Sequence, residues 1–348
     1  MGIKEIAEAA GVSPSAVSLA LNNRPGVSEE TRARVVSIAE SMRYRHKGTE
    51  VPSGFAARRG TIRFLKVIKH GRVLNENHKV FVADYIEGMA KGCREHRFYL
   101  QFVSHNTDRI EEALPKSKAI RGVIVLGTEL EESDLEMFCD LHIPAVFLDT
   151  YHEHLPLDFV DMDNFDAMHK IVARLYECGH REIGYVRCNI RTRNLAMREE
   201  AFLAALARFG LAHDPEFIFG VDSTYHGAYR DMLEILKAGK KLPTAFFPGN
   251  DIIAYGCLKA MKEFGLHIPG DVSVIGFDDL PTSAVMDPPL TTIRVATRQM
   301  GAMAVDLLAV RLEQPDIPPM KLQIGVDFIE RQSVKRIAAS PAEVPGAG

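Results

Sequence analysis

The sequence predicts an α/β protein in which a three-helix helix-turn-helix headpiece precedes a core of two doubly wound parallel-sheet lobes. Three observations carry that expectation. Two short helical patterns meet at Gly11-Val12-Ser13, close to the start of the chain. A stretch without apolar periodicity occupies residues 45–60. From Thr61 onward, strand-like apolar runs alternate with helical patterns often enough for two successive sheets.

In the head, Ile6, Ala10, Val17 and Leu21 recur at helical spacing and close a small core. Gly11 suits a turn that a side chain would obstruct, Ser13 can cap the second helix, and Pro14 stands at its first position. A helix pair joined by such a turn is the layout whose second helix enters the DNA major groove. Ser28-Glu29-Glu30-Thr31 reads as a third helix start, with a capping serine and an acidic first turn. Ala33, Val35, Val36, Ile38, Ala39 and Met42 form its apolar stripe. Residues 46–60, rich in Gly, Pro and charge, have linker composition.

In the core, strands are expected at 62–68, 98–103, 122–126, 144–148, 182–187, 244–247 and 272–277. Helices are expected at 80–94, 132–140, 164–178, 196–209, 226–238, 251–264 and 296–313. Open parallel sheets bind ligands at the carboxyl ends of their strands, so two lobes set mouth to mouth form a cleft that can close on a small molecule. Residues 337–348, through Pro341 and Pro345, read as a flexible tail.

Bulk properties narrow the function. A chain of 348 residues exceeds one typical core. Hydrophobic content of 46% and charged content of 25% are ordinary for a soluble protein, and no run approaches a membrane span. The N-terminus lacks a secretory pattern, and five scattered cysteines read as reduced thiols, which together point to a cytoplasmic protein. The net charge of −4 conceals a basic head: residues 1–60 hold nine Lys/Arg against six Asp/Glu. That polarity fits nucleic acid held at one end.

No catalytic constellation is visible. The chain has no G-x-S-x-G elbow, no H-E-x-x-H and no phosphate-binding G-x-x-x-x-G-K-[ST] loop. His152-Glu153-His154 has the nearest approach to metal spacing and reads as a polar loop. Neither an enzyme nor a cofactor or metal site is expected. A transport carrier would share the core and lack the head.

Read together, both halves resemble the lactose-repressor (LacI/GalR) family of transcription regulators. In the head the resemblance rests on Ala10-Gly11-Val12-Ser13, Val17-Ser18, Leu21-Asn22, Val27 to Arg32 and Tyr44-Arg45. In the core it rests on Val160, Asp163-Asn164, Gly179-His180, Ile183-Gly184, Arg198 with Phe202, and Asn250-Asp251 with Ala254 and Gly256. It continues through Gly265-Leu266, Ile268-Pro269, Asp271 to Val274, Gly276 to Asp279, Pro289 to Ile293, and Arg331-Gln332-Ser333. The resemblance implies a periplasmic-binding-protein-like core crossed three times by the chain, and a homodimer that binds near-palindromic double-stranded operator DNA. It implies domains at 1–45 (headpiece), 46–60 (hinge), 61–160 with 294–320 (first lobe) and 161–293 with 321–336 (second lobe). It also implies an allosteric regulator, a repressor by family habit, whose operator affinity is switched by a small molecule such as a sugar or sugar acid. Whether that effector induces or corepresses is left open.

The resemblance places Pro14, Ser15, Ala16 and Leu19 toward base edges, and Ser13, Ser18, Asn22, Arg24 and Thr31 toward phosphates. Relatives often carry arginine where Leu19 stands, so Leu19 either changes the central base contact or packs on the headpiece. The hinge also departs from the family pattern, because Gly48, Pro52 and Gly54 oppose a helix. Either the operator is bent less, with Val51 or Phe55 as a replacement wedge, or the segment is a tether whose Arg58 and Arg59 meet phosphates. In the cleft, Asp149, Arg198, Asn250 and Asp278 match effector contacts of the family, with Tyr225 and Phe81 as aromatic partners. Two carboxylates, an amide and a guanidinium suit sugar hydroxyls, which both donate and accept. If Arg191 or Arg193 faces the cleft, the effector is expected to be anionic.

Overall fold

The structure, a computed structural model, describes residues 3–21, 26–42, 59–115, 117 and 119–337. The chain divides into two compact units, Met1–Arg58 and Arg59–Gly348.

The first unit holds α1 (Ile3–Ala10), α2 (Pro14–Leu21) and α3 (Glu29–Ser41). Gly11 closes α1 at φ +64°, and the N–H of Val12 reaches back to the carbonyl of Ala7 at 3.0 Å. This left-handed helix stop favours glycine for its backbone alone, since an added Cβ would meet nothing. Ser13 Oγ accepts the N–H of Ala16 at 3.1 Å, and Ser28 Oγ accepts that of Thr31 at 3.2 Å, so both helices are capped. The core comprises Ile6, Ala7, Ala10, Val17, Ala20, Val35 and Ala39, with Leu21, Ile38 and Met42 partly buried. The stripe on α3 is narrower than the sequence suggests, because Ala33 and Val36 face solvent. Arg32 of α3 donates to the carbonyls of Leu19 and Ala20 at 3.3 and 3.2 Å, satisfying acceptors that the end of α2 leaves open.

The second unit begins with β1 (Thr61–Ile68), α4 (Lys79–Glu95), β2 (Tyr99–Asn106), α5 (Ile110–Ala113) and β3 (Ile120–Leu126). Then come α6 (Glu132–Glu136), β4 (Ala145–Leu148) and β5 (Asp158–Met162). The chain next builds the second lobe from α7 (Asn164–Glu177), β6 (Ile183–Cys188), α8 (Arg193–Arg208) and β7 (Ile218–Val221). That lobe continues with α9 (Tyr225–Lys237), β8 (Ala245–Pro248), α10 (Asp251–Glu263), β9 (Ser273–Asp278) and β10 (Thr291–Arg294). It returns as α11 (Thr297–Glu313) and β11 (Lys321–Ile324), and ends with β12 (Asp327–Ile329).

The two six-stranded sheets have matching orders, β11-β5-β4-β3-β1-β2 and β12-β10-β9-β8-β6-β7. Neighbours run parallel, apart from β12, which lies antiparallel to β10. In each sheet the order reverses beside its first strand, and that switch point opens the crevice where doubly wound folds bind ligands. One apolar cluster, including Tyr85, Phe202, Phe247 and Phe277, spans both lobes. Helix α11 returns to the first lobe and packs on α4 and β3–β5. Their axes approach closely because a Cβ on Gly88 would collide with the Arg298 carbonyl, and one on Gly301 with that of Tyr85.

Several expectations shift. Strand β11 pairs with β5 in the first sheet, so the last crossing falls after Ile324 and not at 320/321. Strands β5, β7, β10, β11 and β12 were not foreseen. Helix α6 ends at Glu136, short of 140, and α8 begins at Arg193, three residues before the expected start. Among the described residues, no helix is long and apolar enough to cross a membrane.

Candidate functional site

On the headpiece, Ser13, Pro14 and Ser15 are exposed, and Ala16, Ser18 and Leu19 are partly so. The hydroxyl of Ser13 caps α2, and that of Thr31 lies 2.8 Å from Ser28 Oγ. Leu19 packs toward Gly26, since its Cδ1 would stand 3.2 Å from a Cβ there. Asn22, Arg24, Val51, Phe55 and Arg58 lie outside the described residues. Arg59 belongs to the second unit, where it pairs with Glu313 at 2.7 Å.

In the core, strand ends from both lobes converge on one cavity of about 40 Å³. Phe81 and Asp149 reach it from the first lobe, and Arg198, Asn250 and Asp278 from the second. Water occupies about 30 Å³ in the liquid, and ligand pockets run to about 300–1,000 Å³, so a sugar-sized molecule enters only as the lobes part. Asp149 and Asp278 terminate β4 and β9 with φ of +62° and +116°, a backbone region that non-glycine residues hold at a cost of about 1–3 kcal/mol. Such strain at both strand ends is a feature of functional positions.

Asp149 accepts the Thr128 hydroxyl and, at 2.7 Å, the amide of Asn194 from the opposite lobe. Burial pushes its pKa up to about 6, against the hydrogen bonds that favour the carboxylate. Arg198 donates to Asn164 Oδ1 at 3.0 Å, the Gly249 carbonyl at 2.9 Å and Met162 Sδ at 3.2 Å, with its guanidinium 3.8 Å from the Phe277 ring centre. Asn250 caps α10 through Oδ1, at 2.9 Å from Ile253 N, while its Nδ2 faces His78 Nε2 at 3.5 Å. Burial pushes the pKa of His78 down to about 4, so its imidazole is neutral. Asp278 is held well above the usual carboxylate range by burial. Behind it, Asp251 accepts Leu280 N, Ser283 Oγ and Thr292 Oγ1 at 2.9, 2.6 and 2.7 Å. These bonds fix the turn that aims Asp278.

The roof over the cavity is equally defined. Glu129 accepts five backbone N–H groups, those of Lys69, His70, Gly71, Val73 and Leu74, at 2.8 to 3.2 Å. Burial raises its pKa, but these donors outweigh that and hold it below the ordinary value. The loop so shaped meets the second lobe where Ser223 Oγ donates to the Arg72 carbonyl at 2.5 Å.

The remaining candidates fall elsewhere. Tyr225 lies at the start of α9 and lines an outer groove of about 790 Å³, not the cleft. Arg198 stands in the second turn of α8 and does not open it. Arg193 is taken by Glu153, Glu200 and the Tyr151 carbonyl at 3.1, 3.2 and 3.2 Å, and Arg191 is exposed. Asp279 pairs with Arg331 and Arg294 at 2.6 and 2.8 Å. His152 packs on Phe159 and is less exposed than a surface loop requires. Asp163 caps α7, and His180 bridges Thr244 and the Lys335 carbonyl. Sequence reasoning missed His78, Tyr85, Thr128 and Asn194, which line the cavity without any spacing signal. Among the described residues, no group of three His, Cys, Asp or Glu side chains is placed to hold a metal.

Comparison with known proteins agrees with this architecture. Residues 2–46 match bacterial regulatory proteins of the lacI family, and residues 172–334 match a periplasmic binding protein-like domain. The HTH-type transcriptional repressor PurR of Haemophilus influenzae is 29% identical over 344 residues, covering 96% of this chain and 99% of that protein. Its namesake in Pasteurella multocida is 28% identical, covering 96% and 98%. Among solved structures, the transcriptional regulator CelR in complex with cellobiose aligns with TM-score 0.70 at 24% identity, covering 96% and 99%. The Lac repressor dimer bound to operator and the anti-inducer ONPF aligns with TM-score 0.69 at 22% identity, with the same coverage.

Proposed function

We propose that this chain, whose residues 2–46 match bacterial regulatory proteins of the lacI family, is a DNA-binding transcriptional repressor of that family, and that a sugar or sugar derivative held between its core lobes sets its grip on operator DNA. The observation that carries this reading is the meeting of Phe81, Asp149, Arg198, Asn250 and Asp278 in one interlobe cavity. These groups combine carboxylates, an amide and an oriented guanidinium with an aromatic ring, the mixture that vicinal hydroxyls need. The working unit in this reading is a cytoplasmic homodimer. In this reading Pro14, Ser15, Ala16 and Leu19 face base edges, and Ser13, Ser18, Asn22, Arg24 and Thr31 hold phosphates.

The mechanism follows from linkage. A ligand that prefers one spacing of the lobes shifts the population toward it, and if that spacing alters how two copies present their heads, operator affinity changes. The coupling expected is about 5–150-fold. A purine is the competing ligand class, suggested by the name of the PurR relatives.

A thermal-shift panel of sugars, sugar acids and purine bases, followed by operator titration with each hit, tests the proposal. The expected result is one sugar that raises the melting temperature and changes operator affinity at least fivefold. A purine acting alone would replace the sugar reading. Operator affinity that ignores every bound ligand would remove the switch itself.

A further inference from the structure

We infer that Arg32 is a positioning residue for DNA reading: from α3, its guanidinium sets the rotation of α2 and so aims the side chains of that helix at base edges. This inference rests on the DNA-binding reading above and adds to it a residue that need touch no base.

Helix α2 has little of its own to fix its orientation. It spans eight residues, fewer than the about 12–15 that an isolated helix needs to persist in water. Its buried side chains, Val17 and Ala20, share a core with Ile6, Ala7, Ala10, Val35 and Ala39, most of them small. Apolar burial is non-directional. It draws α2 onto its neighbours and leaves the rotation about its own axis weakly specified.

Arg32 supplies the direction. Its Nη1 donates to the carbonyls of Leu19 and Ala20 at 3.3 and 3.2 Å. Successive carbonyls lie about 100° apart around a helix, so one nitrogen bonds both only over a narrow range of rotation. Both sit in the last turn of α2, where carbonyls lack helical partners and a cation meets the negative end of the helix dipole. Leu19 adds a side-chain contact toward Gly26 at the same end. The ion pair of Arg32 with Glu29 is long at 3.7 Å, and the Glu29 side chain is 95% exposed, so it competes little for the guanidinium.

The face held in this way carries Ser15 and Leu19, four residues apart and therefore on one side of the helix. A side-chain tip stands about 5–6 Å from the axis, so a turn of about 10° moves it by about 1 Å. Hydrogen bonds to base edges tolerate only about 0.5 Å of spread. Attraction to phosphates falls off smoothly with distance and is little changed by such a shift. Loss of Arg32 should therefore cost selectivity before it costs affinity for DNA in general.

The test uses the full-length protein. A duplex that the wild type selects from a random pool serves as operator, and a scrambled duplex of equal length as non-specific DNA. Arg32→Met removes the donors and keeps an unbranched stem. It is expected to weaken operator binding about tenfold, the scale of one lost base contact, while the scrambled duplex stays within about twofold and the salt slope is unchanged. Arg32→Gln keeps an amide donor on a shorter stem. It should show the same selective loss at about threefold, and it carries the test if methionine unfolds the head. Were Arg32 merely structural, both duplexes would weaken in proportion, as they should for the core variant Val35→Ala, and the inference would fall. Were it a phosphate contact, both would weaken and the salt slope would drop by about one, which also overturns it. Variants that bind operator like the wild type would do the same. A wild type that selects no sequence at all would remove the DNA-reading proposal itself, and this inference with it.

Discussion

Burial keeps the His78 imidazole neutral down to about pH 4, with repulsion from Arg198 and Lys66 adding to the effect. The unfolded chain takes up that proton near pH 6.5. Between those values the unfolded state binds more protons, so the stability this residue supplies is complete above about pH 6.5 and drains as pH falls. Asp149 and Asp251, pushed up to about 6, work in the opposite direction, since the native state holds their protons more firmly. His78→Gln isolates the histidine contribution. Urea unfolding should show wild type losing about 3 kcal/mol relative to this variant between pH 7 and pH 4. A difference that does not vary with pH would place the proton elsewhere. His78 also illustrates what residue types alone conceal. Asp149, Asn250 and Asp278 were visible because each ends or follows a strand run, and Arg198 because of its helical spacing to Phe202. His78, Thr128 and Asn194 line the same cavity, yet ordinary polar residues in loops and helix starts look alike until the chain has folded. Tyr225 misled for the converse reason: near a ligand position in sequence, it lines the outer groove and not the cleft once the chain has folded.

Helices α4 and α11 set the thickness of the first lobe, and their contact depends on two glycines. Gly301 faces the Tyr85 carbonyl so closely that any Cβ must push the helices apart. Gly301→Ala should therefore cost about 3 kcal/mol in urea unfolding, while Gly325→Ala, where an added Cβ meets nothing within 4 Å, serves as the neutral control. Equal stability of the two variants would show that the helices accommodate the methyl. Long elements such as α4, α7, α10 and α11 were legible within a residue or two, because their apolar stripes repeat over three or more turns. Short strands were legible only where apolar throughout, as in β4 and β8. Strands β10 and β11, equally short, mix Thr, Arg, Lys and Gln into the run, and four residues leave no period to compensate. In β5, Asp158 and Asp161 interrupt an otherwise apolar run, and only the sheet around them explains two acids at a buried strand.

Across the whole core, the two lobes are joined by their own side chains before any ligand is considered. Asn194 holds Asp149, Ser223 holds the Arg72 carbonyl, and Asn250 meets His78. The space they enclose, about 40 Å³, is smaller than any molecule the site is built to recognise. That mismatch has a kinetic meaning. A ligand cannot collide its way in; it must wait for the lobes to swing apart. Stopped-flow mixing should accordingly give an observed rate that climbs with concentration and then levels off at the opening rate. A strictly linear dependence would mean the gate stands ajar. If the plateau is found, how soon a cell responds will depend on the breathing of this protein and not on how much metabolite surrounds it.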